Sequence, residues 1–173
     1  MKKRLNICFC LFLLSTVGYA QIDAPISLDT RLLDIVKEVS AERLENDISM
    51  LANFGTRHTL SDTVSDVRGI GAARRWIKST FDVISDACDG CLEVQYQRGL
   101  VKKGESRRIP DDTWIVNVMA IKRGTLYPNR YIIMSGDIDS RISDPLTATD
   151  DSPGANDNAS GMAGAIEAAR VLS

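Results

Sequence analysis

Tyr131-Ile132-Ile133-Met134-Ser135-Gly136-Asp137-Ile138-Asp139-Ser140 is the stretch on which the fold of this chain turns. Its four leading apolar residues have the length and composition of a strand. Gly136 then frees the backbone to turn sharply where that strand leaves its sheet. Asp137 and Asp139 stand at the exit. Twenty residues after Asp137 comes Asp157, within Gly154-Ala155-Asn156-Asp157-Asn158-Ala159-Ser160-Gly161. That run leads into residues 162–172, a segment rich in alanine and glycine that suits a helix packed closely on a sheet. One carboxylate at a strand's end and another just before a helix face the same crevice of an open α/β sheet, where ligands bind. The fold class this predicts is α/β, with helices on both faces of a mixed sheet.

Outward from that stretch, the bulk properties narrow the possibilities. A chain of 173 residues has room for one domain with its own core. With 44% apolar and 25% charged residues, the composition is that of a globular protein. A formal net charge of -2 supplies no broad attraction to nucleic acid or to anionic membranes. Residues 1–20 stand apart. Lys2, Lys3 and Arg4 form a basic head, residues 5–17 are mostly apolar, and Gly18-Tyr19-Ala20 supplies a small-x-small cleavage pattern. This reads as a cleaved signal peptide, too short to span a membrane, which predicts a secreted or periplasmic protein. Neither Cys8 nor Cys10 sits at the cleavage point, so no lipid or membrane anchor is expected. Past the leader only Cys88 and Cys91 remain. In an oxidising compartment they close a small disulfide loop; the alternative is two thiols in a turn.

Taken in order, residues 29–39 read as a helix with Leu32, Val36 and Val39 as its stripe. Ser40 caps a second helix, in which Leu44, Ile48 and Leu51 recur at helical spacing until Gly55 stops it. A loop around Arg57 and His58 precedes a third helix, with Val67, Ile70, Ile77, Phe81 and Ile84 on one side. Residues 92–97 and 113–121 read as strands. The charged connection between them, with Lys102, Lys103, Arg107 and Arg108, reads as a solvated hairpin face.

Three chemical motifs fail on context. Gly69-Ile70-Gly71 lacks the third glycine of a dinucleotide loop and follows no strand. Ser160 lacks the flanking glycines of a nucleophile elbow, and the single histidine, His58, lies upstream of it. Asp137-Ile138-Asp139 opens like a calcium loop, but Ile142 and Ala148 hold the places that need glycine and glutamate. Two readings of residues 137–157 survive: a carboxylate metal site, or a solvated acidic loop built from turn-forming Asp and Asn.

The pattern Gly136-Asp137-Ile138-Asp139-Ser140 followed by Pro153-Gly154-Ala155-Asn156-Asp157-Asn158 resembles the co-catalytic zinc aminopeptidases of the bacterial leucyl aminopeptidase and aminopeptidase Y type. Phe54-Gly55-Thr56-Arg57 and residues 69–77 resemble the same family's entry region. The resemblance runs from about residue 40 to residue 173. It implies a three-layer α/β/α fold, two zinc ions, a peptide substrate and release of N-terminal residues by metal-activated water. By the same resemblance Asp157 bridges the two metals, while Asp139 orients a metal ligand without touching the metal. The ligand itself is usually histidine, and here it is Asp137. Aspartate binds zinc through oxygen and has no ring N–H to donate, so Asp139 loses its usual partner.

The family's paired glutamates, one of them the general base, lie beyond the matched region, as do a further aspartate and a final histidine. No two glutamates of this chain are adjacent, and Glu167 reads as a helix-surface residue. Residues 21–173 are therefore expected to be the N-terminal part of an aminopeptidase catalytic domain, truncated before the later strands and inactive alone. Two rivals remain: an exported binding module that no longer cleaves, and a glutaminyl cyclase, which shares the fold and a related metal site.

Overall fold

A computed structural model describes residues 29–173; the leader, with Cys8 and Cys10, lies outside the described residues. Three helices come first. Helix α1 spans Thr30–Glu38, and Asp29 caps it by accepting the Arg31 N–H at 3.0 Å. Ser40 caps α2, Ala41–Asn53, as its sequence predicts. Helix α3 runs over Gly69–Ala87. Strands β1, Glu93–Val101, and β2, Thr113–Ile121, then form an antiparallel hairpin in which Tyr96 pairs with Val118 and Arg98 with Val116. Helix α4, Ser160–Leu172, closes the described chain.

The core forms where α2, α3 and α4 meet one face of the hairpin. Leu51, Ala73, Ile77, Phe81, Met162 and Ile166 are buried together, with Val94, Val118 and Ala120 of the sheet packed against them. The alternation of β1 and β2 explains this, because residues two apart share a face. Helix α1 differs from expectation: it buries none of its residues, and Leu32 and Val36 face solvent. Val67 is also exposed, since it precedes α3 rather than riding on its apolar side. The hairpin connection behaves as its charges predict, with Lys102 paired to Asp112 and Lys103 to Asp111 on an exposed rim.

The largest departure is at residues 131–134. They form no ladder, and Ile132 and Ile133 are 96% and 85% exposed. Among the described residues the sheet has two strands and is wholly antiparallel, so the expected mixed sheet is not seen in them. An isolated strand leaves its own N–H and C=O groups unpaired, and no described segment lies alongside to take them. Gly136 also has a different reason to be glycine. A Cβ there would meet the Met162 amide nitrogen of α4 at 2.2 Å, so the position is reserved for a close approach of two backbones.

Cys88 and Cys91 are joined as a disulfide, with Cα atoms 5.4 Å apart. The loop they close is short, so reduction is expected to lower stability by only about 2 kcal/mol. Alkylation with and without reductant, followed by mass measurement, checks the bond; two free thiols in the native protein would rule it out.

Candidate metal centre

Arg57 builds the ground on which the site stands. Its side chain is wholly buried, and its guanidinium donates to four backbone carbonyls. Nε reaches Ile138 O at 2.8 Å, Nη1 reaches Leu51 O at 2.7 Å and Pro153 O at 2.6 Å, and Nη2 reaches Gly154 O at 3.0 Å. Ile138 lies between Asp137 and Asp139, and Gly154 opens the turn that carries Asp157. One planar fork therefore fixes both acidic segments against the end of α2. Burial pushes the Arg57 guanidinium below its usual range, and the charge of Asp139 opposes that shift.

Hydroxyl groups complete the frame. Ser140 Oγ accepts the Arg57 N–H at 3.0 Å and donates to Ser152 O at 2.5 Å. The hydroxyls of Thr56 and Ser152 meet at 3.0 Å, beside a parallel bridge between the same two residues. Sequence reasoning missed these roles. The one available signal was the resemblance of Phe54-Gly55-Thr56-Arg57 to the family's entry region, which assigns these side chains no role.

On this frame the Asp137 N–H donates to Asn158 Oδ1 at 3.2 Å, which brings Asp137 beside the turn that holds Asp157. That turn, Ala155–Ala159, departs from helical angles at Asp157 and Asn158, and the peptide bond between them is cis. The Asp137 and Asp157 side chains are exposed and accept no hydrogen bond among the described residues. Asp139 is used differently: its carboxylate accepts the Thr59 hydroxyl at 2.9 Å. Asp144 is turned inward on its own loop, accepting from the Leu146 N–H and the Thr147 hydroxyl.

Free carboxylate oxygens on two adjoining segments suit a divalent cation, and Asp137 and Asp157 would be the residues to hold it. They are part of a donor set rather than a whole one. No group of three or more His, Cys, Asp or Glu able to hold a metal occurs among the described residues. His58 is no candidate, because both ring nitrogens are occupied. Nδ1 accepts the Leu60 N–H at 3.1 Å, which leaves Nε2 protonated to donate to Pro145 O at 3.1 Å.

Glu167 is not the surface residue its sequence suggests. It is 2% exposed and accepts from the Ser40 N–H at 2.7 Å, from Arg43 at 2.6 Å and from Arg170 at 3.1 Å. The Arg43 bonds lead the causes that lower its carboxyl to about 2. Glu167 thus ties α2 to α4 and is not free to take a proton from water.

Residues 117–173, which carry Asp137, Asp139 and Asp157, match the model of Peptidase family M28. The chain is 44% identical over 158 residues to a probable zinc metalloprotease of Pyrenophora teres f. teres, covering 91% of this chain and 32% of that protein. A probable zinc metalloprotease of Pyrenophora tritici-repentis gives the same identity and coverage. One from Pyricularia oryzae is 40% identical over 144 residues, covering 83% of this chain and 28% of that protein. The chain therefore spans about a third of the length of the curated relatives it matches. No solved structure matches it.

Proposed function

We propose that the chain belongs to the M28 peptidases and forms the leading part of an exported zinc-dependent aminopeptidase. The observation that carries this is the Asp137–Asn158 contact on the Arg57 frame, which unites the two acidic motifs inside the matched region. Zinc held there would supply a Lewis acid and a water acidic enough to attack a peptide carbonyl at neutral pH. The residues of this chain would then have separate tasks. Asp157, free on its turn, would contribute the ligand shared between two ions. Asp137 would bind one ion through oxygen in place of the family's histidine. Asp139, held by Thr59, would keep a fixed negative charge beside the site. In the complete domain residues 131–134 would form a strand of the three-layer sheet, covering side chains that now face solvent. A disulfide at Cys88–Cys91 supports an oxidising destination.

His58 and Glu167 are both committed to hydrogen bonds, so neither is free to act as the base. The 173-residue chain with added zinc is therefore expected to show no measurable turnover of aminoacyl-nitroanilides. Loss of a positioned base alone costs roughly a hundredfold to ten-thousandfold. A protein carrying this chain together with the length its relatives have beyond it should cleave them. Robust turnover by the pure 173-residue chain would contradict this division of labour.

A further inference from the structure

A cavity of about 730 Å³ lies between the start of α3, the loop at residues 59–63 and one end of the β1–β2 hairpin. Three guanidinium groups line it, those of Arg74, Arg75 and Arg98. Arg75 is committed elsewhere: it donates to the carbonyls of Thr63, Val64 and Ser65 and pairs with Asp66. Arg74 is not. It is only 9% exposed, its buried Nε has no hydrogen-bond partner, and it makes no ion pair among the described residues. Arg98 lines the cavity from β1, two residues along from Tyr96, with its guanidinium 5.7 Å from the centre of the Tyr96 ring. It too has no carboxylate partner among the described residues. The cavity's own carboxylate, Asp112, is taken by Lys102 and by the Lys103 N–H.

A buried Nε–H with nothing to accept its proton is costly, and native interiors rarely leave one so. The same geometry has a use. A planar fork of donors in the wall of a cavity, with a second guanidinium lining the same cavity, matches a carboxylate in two-point fashion. The cavity also adjoins the metal-site residues, because Thr59 both lines it and donates to Asp139.

The geometry points to a carboxylate-binding subsite at Arg74 and Arg98, which would select peptides carrying an acidic side chain or a free C-terminal carboxylate near the cleaved bond. The peptide as carrier rests on the peptidase reading; the carboxylate site does not. Binding to the full chain is therefore measured without metal and without turnover. The probes are N-acetyl-glutamate α-amide, which offers a side-chain carboxylate alone, N-acetyl-alanine, which offers a terminal one alone, and inorganic phosphate. One or both acetylated probes should bind, and the tighter identifies which carboxylate the subsite takes. Arg74→Gln should weaken that binding at least tenfold, the worth of a charge-assisted hydrogen bond, with Arg74→Lys falling between. Should the Arg74 variants fail to fold, Arg98→Gln on the exposed strand should still weaken binding several-fold. The inference is overturned if neither acetylated probe binds, if binding is indifferent to both arginines, or if phosphate binds more tightly than either. A protein that hydrolyses no peptide yet binds a probe through Arg74 would contradict the peptidase reading and leave the subsite standing.

Discussion

Arg57→Ala is expected to destabilise the folded chain by about 4 kcal/mol or more. The substitution removes four charge-assisted hydrogen bonds and strands the carbonyls of Leu51, Ile138, Pro153 and Gly154. Bonds to a charged donor are worth about 1.5–3 kcal/mol each, and a buried acceptor left alone adds its own penalty. The sum is not additive, so the figure is a lower range for the whole cluster. For a domain of this size it corresponds to a fall in Tm of roughly 10–15 °C. Arg57→Lys should recover little, because one ammonium group cannot span carbonyls that a planar fork reaches in different directions. Urea unfolding of both variants measures this. A loss below about 1 kcal/mol for Arg57→Ala would show that the guanidinium does not hold the two acidic segments.

Glu167→Gln should cost about 3–5 kcal/mol at neutral pH, since it leaves Arg43 and Arg170 facing an uncharged amide in a buried network. The pH dependence separates charge from shape. The folded carboxyl titrates near 2 against an ordinary 4.5, so its contribution is complete above about pH 4.5. It fades as the pH falls and is gone below about pH 2. The gap between wild type and Glu167→Gln should therefore narrow across that window. A gap that stays constant from pH 7 to pH 2 would mean that Glu167 acts through packing rather than through its charge.

How much of the fold and site was legible in the sequence depends on where each residue's partner lies. Strand β2 was readable to its ends, because a short run of apolar and β-branched residues, Thr113–Ile121, is a local property. The Ser40 cap was likewise local, and the Cys88–Cys91 bridge is closed by residues three apart. The acidic motifs were picked out by their spacing, and the structure joins them through the Asp137 N–H and the Asn158 side chain. Arg57 was not legible as a clamp, since an arginine in a polar loop is ordinarily solvated and its acceptors lie on three separate segments. Glu167 carried a weak signal: it follows Ile166 on the buried side of α4, with Arg170 one turn on. Its other partners, Ser40 and Arg43, are more than 120 residues away. Residues 131–134 failed as a strand for the same reason, because an apolar run becomes a strand only when a neighbour receives its hydrogen bonds.

Zinc content tests most directly whether Asp137 and Asp157 are metal ligands. It is best measured by mass spectrometry after dialysis, in a protein carrying this chain together with the length its relatives have beyond it. Asp137→Asn should lower the zinc bound, because a neutral amide is a weaker ligand than a carboxylate. Asp157→Asn should lower it further, because a shared ligand serves both ions. Asp137→His should keep the metal, since imidazole suits zinc and gives Asp139 an N–H to accept. Unchanged zinc in both asparagine variants would contradict a metal role for these carboxylates and leave residues 137–157 as a solvated acidic loop.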